Sequence, residues 1–111
     1  MKYILLLLLS FNTYALSEKE HQRVNCKGEM EVKIKGGRID CLTELYAVEY
    51  DFAYKWKNAI SQSRWYALQT GKRAGIALIY RKPSDETYLE YLIEYLHGYD
   101  IYIRVWIVKD Y

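Results

Sequence analysis

Apolar and polar residues alternate with period two over residues 30–35, where Met30, Val32 and Ile34 interleave with Glu31, Lys33 and Lys35. That period places the two sets on opposite faces of a strand. Gly36-Gly37 interrupts the alternation and it resumes at Ile39, so the pattern predicts a β-hairpin turning on the two glycines. In that register Lys35 pairs with Arg38 and Lys33 with Asp40. The stretch "LYAVEYDF" (45–52) predicts a third strand, with Glu49 and Asp51 on one face and Val48 and Tyr50 on the other. Residues 54–69 contain no Gly or Pro, alanines recur, and Thr70-Gly71 closes the run, which predicts a helix. "AGIALIY" (74–80) is a short apolar run of the kind buried on both faces. "SDETYLEYLIEYLHG" after Pro83 predicts a capped amphipathic helix and "DIYIRVWIV" (100–108) a last strand. Before the hairpin, Ser17 with Glu20 three residues on and Gly28 as a stop predict a short first helix. The predicted order is αβββαβαβ, an α/β fold.

The N-terminus sets the expected compartment. Lys2, an apolar run from Tyr3 to Leu9 and the Thr13-Tyr14-Ala15 ending have the layout of a secretory signal peptide. The run is far short of the roughly 20 apolar residues that span a bilayer. Residues 1–15 are therefore expected to be removed, leaving 16–111 as one domain, periplasmic or secreted and free of the membrane. Cys26 and Cys41 would then meet an oxidising environment, either as a disulfide or as two small buried thiols. Two Cys and two His without paired spacing make a zinc site a poor fit. A formal net charge of +2 neither announces nor excludes a nucleic-acid partner, since local patches matter more than totals. The 13 tyrosines suit half-buried strands and ligand surfaces alike.

Polar residues gather on the predicted elements. Hairpin geometry crowds Lys33, Arg38 and Asp40 on one face, and a third strand beside the second would bring Glu49 and Asp51 to it. On the following helix Lys55, Gln62 and Tyr66 share a narrow arc, while Trp56, Ile60 and Ala67 form a separate apolar stripe. Repelling acids on a concave face suggest a cation; on a solvated face they are ordinary.

"GRID" (37–40), "EYD" (49–51) and "QSRWY" (62–66) in this order resemble the PD-(D/E)xK nuclease superfamily, in particular the nuclease domain of bacterial recombination exonucleases. The resemblance covers about residues 17–80. It implies a restriction-endonuclease-like αβββαβ core in a mixed sheet, with the last helix and strand added. It also implies metal-dependent phosphodiester hydrolysis of DNA or RNA. Asp40 and Glu49 would hold Mg²⁺ or Mn²⁺, with Asp51 as a third ligand. Where the family places lysine, this chain has Asp51, so Lys55 would supply the amine from a displaced position. Gln62, Tyr66 and Arg38 would support the site and the nucleic-acid backbone, and Glu20 would be an outer carboxylate. The rival reading is a non-catalytic interaction domain on the same scaffold, using the aromatic-rich end, residues 88–106.

Overall fold

The elements follow the predicted order in a computed structural model that describes residues 15–111. The signal-peptide expectation, residues 1–15, lies outside the described residues except for Ala15. Helix α1 (Glu18–Asn25) is followed by strands β1 (Glu29–Ile34), β2 (Gly37–Leu42) and β3 (Tyr46–Phe52). Helix α2 (Trp56–Thr70), β4 (Arg73–Tyr80), α3 (Glu86–Gly98) and β5 (Arg104–Lys109) complete the chain. The five strands lie in sequence order in one mixed sheet. β1, β2 and β3 are antiparallel neighbours, while β3, β4 and β5 run parallel and are joined by the α2 and α3 crossovers. No helix among the described residues is long and apolar enough to cross a membrane.

The two faces of the sheet differ. Ile76, Leu78 and Tyr80 of β4 pack against Ala59 and Ile60 of α2 and Leu92 and Leu96 of α3. On the other face Cys41, Val48, Tyr50, Ala77 and Ile79 are buried with the partly covered Trp106 and Val108. α1 begins as predicted: the Ser17 hydroxyl accepts from Glu20 N–H, and the Glu20 carboxylate accepts from Ser17 N–H. A disulfide between Cys26 and Cys41 ties the end of this helix to β2. α2 ends on Gly71 in the left-handed region.

Three local expectations are corrected. Ile34 pairs with Gly37 and Lys33 with Arg38, so the hairpin turns on Lys35-Gly36 and not on Gly36-Gly37. Only Gly36 carries positive φ (+77°), at the second central position, as a type II turn requires. α3 has no side-chain cap, because the Asp85 carboxylate accepts instead from Arg81 N–H, at 2.8 Å. The last strand starts at Arg104, since Asp100 takes positive φ and Ile101 N–H closes back on Leu96 C=O.

A Cβ on Gly36 would lie 3.0 Å from the Trp65 indole nitrogen, whereas one on Gly37 would meet only Tyr66, at 3.7 Å. Gly36→Val should therefore cost about 1–3 kcal/mol and Gly37→Val under about 1 kcal/mol, read from thermal melts. Equal losses would contradict the turn. The disulfide closes a separation of 15 residues, so replacing both cysteines by alanine should remove about 3 kcal/mol. A urea-denaturation loss below about 1 kcal/mol would show that the bridge constrains little.

Candidate functional site: an acidic cleft between α1, the hairpin and α2

Glu49 and Asp51 sit on the covered face of the sheet. In the parallel ladder Glu49 pairs with Ile76 and Asp51 with Leu78, the residues that meet the helices. The two acids are 4% and 3% exposed, which rules out an ordinary solvated strand face. They form the floor of a cleft of about 1020 Å³, whose walls come from α1, the hairpin and the first turns of α2.

Each predicted residue can now be placed. Asp40 accepts from Tyr50 N–H at 2.8 Å, which draws its carboxylate to β3 beside Glu49. Lys55 lines the cleft, with its amine 3.1 Å from Glu18 Oε2. The Tyr66 hydroxyl donates to Gln62 Oε1 at 2.7 Å, and both side chains line the wall. Arg38 is at the rim in an exposed pair with Glu31, at 3.2 Å. Asp40, Glu49, Asp51, Lys55, Gln62, Tyr66 and Arg38 thus share one cleft. Glu20 does not, because capping α1 turns its carboxylate back on Ser17; this corrects its role as an outer acid.

Sequence reasoning missed Glu18 and Gln22. The Glu18 carboxylate accepts from Phe52 N–H at 3.0 Å and binds Lys55, so it closes the cleft at the end of β3. Gln22 is buried with an unpartnered Oε1. Trp65 was also unforeseen; its indole N–H donates to Lys35 C=O at 2.8 Å and seats the hairpin on α2.

The electrostatics follow from burial. Glu49 is raised far above the carboxylate range, first by desolvation and then by its hydrogen bond to Asp51 and the charge of Asp40. Asp51 is pushed up to about 6, again chiefly by burial. Burial also raises Asp40, against the opposing hydrogen bond from Tyr50 N–H. The Tyr66 phenol is raised by burial and by the Glu49 charge. At neutral pH the cluster therefore keeps a proton on Glu49, shared with its neighbours. Two carboxylate oxygens, Glu49 Oε1 and Asp51 Oδ2, are buried and meet no N–H or hydroxyl donor, which leaves the proton shared between the two acids to tie them. Among the described residues no three His, Cys, Asp or Glu side chains are grouped so that they could hold a metal ion.

The chain is 30% identical over 84 residues to a KilA-N domain-containing protein of Acanthamoeba polyphaga mimivirus, covering 76% of this chain and 23% of that protein. A second KilA-N domain-containing protein of the same virus is 30% identical over 79 residues, covering 71% of this chain and 31% of the relative. The chain thus spans less than a third of either relative's length. No family model matches, and neither does any solved structure. The relatives carry the KilA-N name and no nuclease name, which overturns the assignment to the PD-(D/E)xK superfamily and the exported-nuclease function drawn from it. The site itself departs from that family's pattern, since Asp51 stands at the lysine position and the Lys55 amine is held by Glu18.

The raised acids fix the sign of a pH effect. A carboxyl whose pKa is higher folded than unfolded favours folding below its unfolded value and loses that contribution as pH climbs to the folded one. Asp51 gives such a loss from about pH 4 to about pH 6, and Glu49 extends it upward. The metal-free domain should melt lower at pH 8 than at pH 5. Glu49→Gln, whose amide can donate where the protonated acid did, should flatten that slope and gain about 1–3 kcal/mol at pH 8. A higher melting temperature at pH 8 than at pH 5 in the unaltered protein would refute the shared-proton arrangement.

Proposed function

We propose that this domain binds nucleic acid through a cleft loaded with a divalent cation, Mg²⁺ or Mn²⁺. The observation that carries the reading is the pair of buried carboxylate oxygens of Glu49 and Asp51 at the cleft floor, which no N–H or hydroxyl donor reaches. An oxygen left without a donor in that position suits a hard cation, and Asp40 would have to turn from Tyr50 N–H to complete a third ligand. Loading would displace the proton now shared through Glu49. A bound cation supplies the positive charge that lets a phosphate oxygen approach a floor that otherwise repels it.

Lys19 and Lys33 line the cleft without an ion-pair partner among the described residues, while Arg38 and Lys55 line it paired with Glu31 and Glu18. A phosphate approaching from solvent would meet these side chains before the floor. Gln62 and Tyr66 hold one wall in place through their mutual hydrogen bond. The Cys26–Cys41 disulfide supports an oxidising compartment, periplasmic or secreted.

Titration calorimetry with Mn²⁺ in buffers of different ionisation enthalpy should detect one site with proton release, and affinity rising from pH 6 to pH 8. At 100 times Kd the metal should stabilise the fold by about 2.7 kcal/mol. Asp40→Asn should abolish that gain. A fluorescent DNA oligonucleotide should bind more tightly in Mg²⁺ than in EDTA at constant ionic strength. Absence of both metal binding and oligonucleotide binding would overturn the proposal.

A further inference from the structure

Beside the cleft, across the Lys55 side, the chain carries a second group of residues that the acidic site does not use. The Phe52 and Tyr54 rings lie nearly parallel, 9° apart with centroids separated by 6.4 Å. The Arg81 guanidinium lies 4.2 Å from the Phe52 centroid and 5.8 Å from that of Tyr54. The Lys55 amine is 5.8 and 5.7 Å from the same two rings, so they link Arg81 to the cleft wall. Tyr54, Arg81, Lys82, Asp85 and Tyr88 line a hollow of about 410 Å³ there.

The polar groups of this hollow are unevenly committed. Asp85 is engaged, its carboxylate accepting from the Arg81 backbone N–H. The Arg81 guanidinium has no carboxylate partner and no hydrogen bond among the described residues, and it lies against the Phe52 and Tyr54 rings. Stacking fixes the plane of a guanidinium while leaving its edge donors free, which is the geometry that grips a phosphate by two parallel hydrogen bonds. Lys82 adds a second cation, and Tyr54 is 53% exposed. An unpaired arginine and an exposed aromatic ring together match one nucleotide, phosphate on the cation and base on the ring.

We infer that Tyr54, Arg81 and Lys82 form a nucleotide subsite continuous with the cleft, taking the phosphate and base of the residue that flanks the one held at the acidic floor. This rests on the nucleic-acid reading above and adds where the strand leaves the cleft: past Lys55, toward the start of α3. The subsite takes a single-stranded nucleotide, since a paired base cannot lay its face on Tyr54.

The test uses the full chain with its disulfide intact, a labelled single-stranded 12-mer and fluorescence anisotropy in Mg²⁺. Arg81→Gln should weaken binding about tenfold and lower the slope of log K against log salt by about 0.7, the share of one phosphate on a single strand. Tyr54→Ala should weaken it at least about fivefold through lost stacking. Arg104→Gln, whose guanidinium lies over Trp106, should stay within about twofold. If the unaltered chain binds the 12-mer and both Arg81→Gln and Tyr54→Ala match it, the subsite is refuted while the nucleic-acid reading survives. If the 12-mer fails to bind, a mononucleotide titration by NMR decides. Shifts at Tyr54 and Arg81 would uphold the phosphate-and-base chemistry with a free nucleotide as its source, and no shifts would overturn the subsite together with the reading it rests on.

Discussion

Two carboxylates lie side by side on β3, one of the two most buried strands of the sheet, against residues that otherwise form an apolar core. Glu49 and Asp51 share the face of Ile76 and Leu78, and neither is more than 4% exposed. Burying one unpaired carboxylate is costly and burying two neighbours costs more. Much of the surrounding structure limits that cost. A shared proton removes part of the repulsion, and Asp40 is held on the Tyr50 amide and not against the other acids alone. α2 presents the Gln62–Tyr66 pair to this floor where its apolar stripe ends. Had the positions been apolar, α2 could have packed down on β3 along its whole length; the acids keep the cleft open instead.

The cleft is completed by a helix that could not stand alone. α1 has only 8 residues, too few to persist in water without tertiary support. Its anchors are covalent and polar. The disulfide fixes its C-terminal end to β2, Glu18 joins its N-terminal end to Phe52 N–H and Lys55, and His21 packs 3.3 Å from Asp110 beyond β5. Gln22 reaches the cleft because these ties set the helix angle. The wall bearing Glu18 therefore depends on a covalent bond about two turns away, and stability and site geometry are coupled through α1.

Element order and type were legible because the periods were clean: alternation in β1, a Gly-free and Pro-free run for α2, an unbroken apolar run for β4. The hairpin register was not, because two adjacent glycines fit two turns that differ by one residue. Trp65 breaks the tie by packing on Gly36, a contact 29 residues away in sequence. The acids of β3 read equally well as solvated or buried, since alternation gives the face and not what covers it. Glu20 was misassigned although the Ser17–Glu20 spacing that predicts the capping box already commits its carboxylate. Glu18, one position into the helix, looked like an ordinary first-turn acid; its role arises from where α1 docks. Short motifs in order suggested a nuclease family, and the relatives found do not bear that name.

An acidic floor beneath Lys19, Lys33 and two ion pairs would have opposite affinities at its two levels. Without a cation, the lysines would attract a phosphate chain and the floor would turn it away. Raising pH ionises the floor and strengthens that refusal, yet it also creates the ligands a divalent cation needs. On the proposed reading, cation and nucleic acid would bind cooperatively, each supplying charge that offsets the other's, and by linkage each would raise the other's affinity by the same factor. The strain of burying Glu49 and Asp51 is what makes the coupling strong: in a solvated cluster of the same composition, water would screen the acids and a cation would change little.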